Sequence, residues 1–266
     1  MAKVITFINM KGGVGKTTLA VNCAYTLSKV ENKRVLLIDM DPQMNATQYS
    51  LTSEQVNKII ENRTLSSYKF LSTEYKVNPN EDFDFIFKSA NSFDIIPSSL
   101  YIMNLNLMSN PCKLNQFIKE HLSDKYDVII IDCPPTISEY TKISLLASDM
   151  YLVPIKADPL SMFGLPILNN YVNEIIKKDF GHDIKFLGIV LNMVIPNRLL
   201  YKRNKEIIRE EWPAKLFLNE LRQYEEITKA IENEDPEQRY IINLNNDDIV
   251  QQMKNITRQL CQKGEL

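Results

Sequence analysis

Ten residues near the N-terminus, Asn9-Met10-Lys11-Gly12-Gly13-Val14-Gly15-Lys16-Thr17-Thr18, constrain the fold more than any other stretch of the chain. A β-branched and aromatic run, Val4-Ile5-Thr6-Phe7-Ile8, precedes them, and a helical pattern beginning Leu19-Ala20-Val21 follows. Strand, glycine loop and helix in this order form a phosphate-binding loop. The glycines let successive N–H groups turn toward one anion, and the helix N-terminus adds partial positive charge. Lys16 is predicted to place a full charge at the β- and γ-phosphates, and the Thr17 hydroxyl to serve Mg²⁺. Three of the seven glycines lie between positions 12 and 15, which argues against a chance match. The loop Lys11, Gly12, Gly13, Val14, Gly15, Lys16, Thr17 and Thr18 is therefore the candidate nucleotide-binding set.

Two further segments supply carboxylates. A helix is expected over Thr17–Val30, then Arg34-Val35-Leu36-Leu37-Ile38 is continuously apolar, as a strand buried on both faces of a parallel sheet reads. Asp39-Met40-Asp41-Pro42-Gln43 stands at its carboxyl end, where open α/β sheets bind ligands. Tyr126-Asp127-Val128-Ile129-Ile130-Ile131-Asp132 repeats the pattern and runs into Cys133-Pro134-Pro135-Thr136. Asp132 is a candidate to hold Mg²⁺ through water, and the Cys-Pro-Pro-Thr turn a candidate γ-phosphate switch. Taken alone, such carboxylates also suit a polar turn or a helix cap, and the residues by themselves leave that open. Further strands are expected at Met150–Ile155 and Phe186–Asn192, with a helix over about 165–178 between them. The alternation predicts a doubly wound, mostly parallel α/β sheet flanked by helices, in one domain spanning residues 1–266.

The phosphate loop departs from the usual spacing: its first glycine is replaced by Met10, and an extra lysine, Lys11, stands next to it. Lys-Gly-Gly-Val-Gly-Lys-Thr-Thr resembles the deviant Walker A box of the ParA/MinD/nitrogenase-iron-protein group. Leu-Leu-Ile-Asp-Met-Asp-Pro-Gln resembles the Walker A′ segment of ParA-type partition ATPases, and Pro97-Ser98-Ser99 resembles their "IPSS" turn. The resemblance covers most of the chain and implies a Mg²⁺-dependent ATPase with weak intrinsic activity, working as an ATP-sandwich homodimer. In that reading Lys11 reaches the partner's nucleotide and acts in catalysis with Lys16 and Asp41, and Asp41 positions the attacking water. Asp39 helps order the shell of the metal held by Thr17 and Asp132, and Asn192 contacts the base. The family also implies nonspecific DNA binding in the bacterial cytoplasm, associated with the nucleoid, and stimulation by a ParB-like centromere-binding protein. The chain begins at the loop strand, so an N-terminal helix-turn-helix domain is not expected.

Composition bounds the partners. With 31 basic and 33 acidic residues the net charge is −2, so DNA contact must come from a local patch. Arg198, Lys202, Lys205 and Arg209 fall at spacings of four, three and four, a single cationic stripe if helical, with Arg203 beside it and Arg222 a second candidate. Glu206, Glu210 and Glu211 nearby equally suit a solvated helix face, and Glu225 and Glu226 stand where relatives are richer in arginine. The four cysteines show no ligand spacing and read as reduced thiols, and the start does not read as a signal peptide. A MinD-like membrane-cycling regulator would need the amphipathic C-terminal helix at about 247–262 to insert into lipid. Its glutamine-rich, non-aromatic composition instead predicts packing onto the body, so no membrane is expected. A redox ATPase like the nitrogenase iron protein would need cluster cysteines beyond Cys133. Residues 44–82 are expected to be a helical insertion with helices near 53–62, Ser53 the candidate N-cap, and near 65–71, and a loop at 77–82. Strands at 85–87 and 94–96 around a turn at Asn91 follow, then a helix through Met108 capped by Ser98 or Ser99, then another over Lys113–Leu122.

Overall fold

The computed structural model describes residues 1–75 and 83–266, and the loop expected at 77–82 lies outside the described residues. Seven strands form one sheet: β1 (Lys3–Phe7), β2 (Val35–Asp39), β3 (Phe87–Ser89), β4 (Phe93–Ile96), β5 (Val128–Asp132), β6 (Met150–Ile155) and β7 (Lys185–Leu191). Their order is β3-β4-β2-β5-β1-β6-β7, all parallel except the edge strand β3, which pairs antiparallel with β4. The β3–β4 turn carries Ala90 at φ 44° and Asn91 at φ 46°, the left-handed pair that a tight hairpin requires. From central β1 the chain runs outward to β2, returns to β5 and then crosses to β6 on the other side. The phosphate loop therefore emerges where the winding reverses, the position at which such sheets open a ligand crevice.

The helices are α1 (Lys16–Lys29), α2 (Asn45–Ser50), α3 (Ser53–Glu61), α4 (Tyr68–Leu71), α5 (Lys113–Phe117), α6 (Glu139–Leu146), α7 (Pro159–Tyr171), α8 (Leu199–Glu211), α9 (Glu225–Ile231) and α10 (Asp247–Gly264). Alternation along the central strands divides the core. Ile5, Leu37 and Ile130 pack toward α1 and α10, whereas Val4, Leu36, Ile129 and Ile131 pack toward α4, α5 and α6. A third apolar cluster joins β6 and β7 to α7.

Several expectations are displaced by local chemistry. The cap of α3 is Thr52, which forms a reciprocal capping box with Gln55, so the helix starts at Ser53 rather than being capped by it. The helix expected through Met108 is two 3₁₀ turns, Leu100–Asn104 and Leu107–Ser109, between extended residues. The helix expected from Leu165 begins at Pro159, because Asp158 accepts from the Ser161 amide and Pro159 occupies the first turn. It continues from Tyr171 as a π-helical segment, Val172–Asp179. In α10, Ile249, Met253, Ile256 and Leu260 are fully buried. Burial of each contributes roughly 1.5–3 kcal/mol, which ties the helix to the body and leaves its apolar face unavailable to lipid. Among the described residues no helix is long and apolar enough to cross a membrane.

Candidate nucleotide-binding and hydrolysis site

The loop between β1 and α1 is built for close backbone approach to an anion. Gly13 and Gly15 adopt φ 70° and 74°, where a side chain would be strained, and Gly15 caps α1 without any side-chain bond. A Cβ at Gly15 would lie 2.4 Å from Asn192 Nδ2. Asn192, at the carboxyl end of β7, donates that amide to the carbonyls of Val14 at 2.9 Å and Gly15 at 3.1 Å. Asn9 braces the other side, accepting from the Lys11 amide at 2.8 Å and donating to Pro154 O at 2.6 Å. The loop is thus held from both flanks with its amides left for a ligand.

Lys16 begins α1, is only 6% exposed, and forms no ion pair among the described residues. Next to it in charge stands Asp132, fully buried at the end of β5. Thr17 Oγ1 donates to Asp132 Oδ2 at 2.7 Å, while Asp132 Oδ1 has no hydrogen-bond partner among the described residues. Burial pushes the Asp132 carboxyl up to about 6 from an ordinary 3.8, with the Lys16 charge and the Thr17 bond working in the opposite direction. A buried ammonium without a direct ion pair and an orphaned buried carboxylate oxygen are both costly, and both are satisfied by a polyphosphate carrying a divalent cation. The donor set, one hydroxyl and one carboxylate beside the phosphate loop, fits Mg²⁺ shared with phosphate and water.

Asp39 and Asp132 are register partners on adjacent strands. Asp39 Oδ1 accepts from the Asp41 amide at 3.0 Å, and Oδ2 from the Thr47 amide at 2.9 Å and hydroxyl at 2.7 Å. Burial, and then the Asp132 charge, raise the Asp39 carboxyl to about 8 against the pull of these donors. Asp39 therefore shapes the loop that follows it. Asp41 is 4% exposed, accepts from the Gln43 amide through Oδ1 at 3.0 Å, and has no bond to Oδ2 among the described residues.

Lys11 does not point into this chain's own phosphate site. Its ammonium is chelated by both oxygens of Asp158, at 2.8 and 2.9 Å, in a pair about one-third exposed. Burial opposes ionisation of Asp158, yet the Lys11 and Ser161 bonds hold its carboxyl below the ordinary range.

A cavity of about 240 Å³ adjoins the loop and is lined by Asn192, Met193, Arg222, Tyr224, Ile227 and Ile231 among others. Apolar walls with an amide at one rim suit a flat heteroaromatic ring. Tyr224, Ile227 and Ile231 carry no sequence signal, because they follow β7 on a segment with no motif. Asp158 could have been found: an Asp-Pro pair just after a strand is a helix-start signature.

The basic stripe forms α8, but its members differ in availability. Lys205 is held by Glu220 at 2.6 Å and by Tyr201 OH, and Arg209 by Glu206 at 2.9 Å. Arg222 is paired with Asp248 at 3.1 Å. Arg198, Lys202 and Arg203 are exposed and unpaired among the described residues, so the free positive charge gathers at the N-terminal half of α8.

The family model AAA_31, described as an AAA domain, matches residues 2–186. The sporulation initiation inhibitor protein Soj of Bacillus subtilis is 32% identical over 201 residues, 73% of this chain and 74% of Soj. The virulence plasmid ParA family protein pGP5-D of Chlamydia psittaci is 27% identical over 233 residues, 86% of this chain and 84% of that protein. A putative plasmid partition protein from Borrelia burgdorferi, solved bound to AMPPNP, superposes with a TM-score of 0.78 at 26% identity, covering 99% of this chain and all of that one.

Proposed function

The chain belongs to the ParA-type partition ATPases within the AAA_31 family, and from that premise we propose that it is a slow, Mg²⁺-dependent ATPase that binds DNA while dimeric with ATP. The observation that carries the proposal is the pair of incompletely met charges at the loop: among the described residues, Lys16 is buried with no direct ion pair, feeling only the more distant charge of Asp132, and Asp132 has a buried oxygen lacking any donor. A structural turn would not sustain both; a nucleotide relieves both at once.

The chemistry is transfer of the γ-phosphoryl group to water. Backbone amides of residues 12–18 and the Lys16 ammonium bind the phosphates and stabilise the charge that develops on them. Mg²⁺, held by Thr17 and Asp132, would supply further positive charge at the phosphate oxygens. Asp39 stands one layer behind, ordering Asp41 and Thr47. Asp41 offers its free Oδ2 to the attacking water, and the adenine ring enters the cavity walled by Ile227 and Ile231, with Asn192 at its rim. Lys11 serves the partner's nucleotide, for which it must leave Asp158; Asp158 then keeps its Ser161 bonds, so release is inexpensive. DNA phosphates lie along Arg198, Lys202 and Arg203, giving sequence-independent, salt-sensitive binding in the cytoplasm at the nucleoid. A ParB-like partner accelerates turnover, and the nucleotide state times association and release of cargo.

Phosphate release from ATP tests this directly. We expect slow Mg²⁺-dependent release that Lys16→Gln abolishes; absence of nucleotide binding to the wild-type chain would overturn the assignment.

A further inference from the structure

The structure assigns Arg239 as a positioning residue for hydrolysis: its guanidinium fixes the helix that carries the Asp41 loop relative to the phosphate loop. This inference rests on the hydrolase reading above.

Arg239 is 6% exposed and has no carboxylate partner among the described residues. Instead Nη1 donates to the carbonyls of Gln48 at 2.8 Å, Tyr49 at 3.1 Å and Leu51 at 2.9 Å. Nε donates to Asn233 O at 2.7 Å and Nη2 to Glu234 O at 3.3 Å, which folds the 233–239 turn around the same group. The first three carbonyls belong to the C-terminal end of α2, where backbone acceptors lack intrahelical partners and carry partial negative charge. Arg239 is therefore a cationic C-cap delivered from 190 residues away in sequence.

α2 needs such help. It has six residues, too few to hold a helix in isolation. Among the described residues it is tied to the site elsewhere by the bond pair from Thr47 to Asp39 and by Tyr49, whose hydroxyl accepts from Asn22 of α1. Asp41 lies on the short loop between β2 and α2, which closes through Met44 at a strained φ of 59° and the Met44 amide bonding Asp41 O at 2.9 Å. Fixing both ends of α2 leaves Asp41 one place to be.

The same segment is fastened to α1, the helix that starts at Lys16. Tyr240 stacks on Tyr25 of α1 with centroids 3.8 Å apart and planes within 2°. The Ile241 amide donates to Asn22 Oδ1 at 2.7 Å, and Tyr49 OH, which accepts from Asn22 Nδ2, donates to Arg239 O at 2.9 Å. The helix behind the phosphates and the helix behind the water-orienting carboxylate thus share one strut. A neutral cap would anchor α2 with less desolvation; a planar guanidinium whose Nη1 serves the α2 carbonyls while Nε and Nη2 hold Asn233 and Glu234 fixes the two segments in one geometry. Because displacement of a reacting group by about 1 Å can cost about 100-fold in rate, that definition has catalytic value.

The test compares Arg239→Gln, Arg239→Lys and, as a control for destabilisation alone, Leu122→Ala, which opens a cavity in the remote cluster around α5. ATP hydrolysis is measured at a temperature where every variant is folded, together with amide hydrogen exchange over residues 40–51. Arg239→Gln should lower kcat tenfold or more with KM for ATP within about twofold, Arg239→Lys should recover part of the loss, and exchange should accelerate at 40–51 but not in α1. Leu122→Ala should lower Tm while leaving kcat and exchange at 40–51 unchanged. Protection at 40–51 that is unaffected in Arg239→Gln overturns the inference whatever the activity, as does a kcat that falls no further than in Leu122→Ala. Failure of the wild-type chain to hydrolyse ATP instead overturns the hydrolase reading, and the positioning role with it.

Discussion

Asp132→Asn should make the nucleotide-free protein more stable and the nucleotide-bound protein less so. The Asp132 carboxyl is fully buried and raised from 3.8 to about 6, so above both values its ionised form costs the native state about 3 kcal/mol relative to the unfolded chain. Asn removes that charge and its oxygen can still accept from Thr17. Its second group, an N–H₂ placed where Asp132 Oδ1 has no partner, returns about 1 kcal/mol of that gain. The net is about 2 kcal/mol in favour of the variant at pH 8, or roughly 4–8 °C in Tm for a chain of this size. The sign follows from proton binding. Native Asp132 holds its proton to higher pH than unfolded Asp, so wild-type stability falls as pH rises from about 4 to about 6, and below pH 4 the advantage of Asn vanishes. Asp39, raised to about 8 in the wild type, adds a fall of the same sign reaching to higher pH, a smaller one in the variant, where the Asp132 charge that helps raise it is gone. Saturating Mg²⁺ and ATP reverse the ranking: a ligand at 100 times its Kd stabilises by about 2.7 kcal/mol, and the variant forfeits the Mg²⁺-dependent part. Urea unfolding at pH 4 and pH 8, with and without nucleotide, reads all four corners. An Asn variant that is less stable than wild type at pH 8 without nucleotide would refute the view that Asp132 is a charge kept under strain for a ligand.

Asp41→Ala should reduce kcat by about 10²–10⁴-fold while ATP binding and DNA retention persist; normal phosphate release would dismiss Asp41 as the water-orienting group. Lys11→Ala should change monomer stability by less than about 1 kcal/mol, since the ion pair with Asp158 is partly exposed, yet abolish ATP-dependent dimerisation. A dimer of this variant seen by light scattering with ATP would count against the crossing lysine. Replacing Arg198, Lys202 and Arg203 with Ala should weaken DNA binding and flatten the dependence of log K on log salt by about 0.9 for each DNA phosphate no longer neutralised. Lys205→Ala, whose ammonium is already paired with Glu220, should do far less. Equal effects from the two sets would mean that the pairing in α8 does not control its availability.

Much of the candidate site was legible because its residues are neighbours in sequence. A glycine-rich loop between strand and helix, and acids closing buried strands, are patterns of adjacent residues, and Lys16, Asp39, Asp41 and Asp132 converge at the carboxyl ends of β1, β2 and β5 as that reading requires. Strand order was legible only as a class, since nothing in β1 itself tells that β5 and β6 will flank it. The Ser99–Met108 stretch misled because its apolar spacing is helical, while packing of Ile102 and Leu107 against the sheet is met by two 3₁₀ turns. Arg239, Tyr224 and the Lys11–Asp158 pair were hidden for a different reason. Each acts through a partner more than twenty residues away, and no spacing rule reaches across such distances.

The most direct test of a nucleotide-gated DNA-binding ATPase is retention of the wild-type chain on nonspecific duplex DNA with ATP, with ADP and without nucleotide, all with Mg²⁺ at one salt concentration. Retention with ATP and release in the other two conditions is the predicted result. Equal retention in all three, or none with ATP, would contradict it.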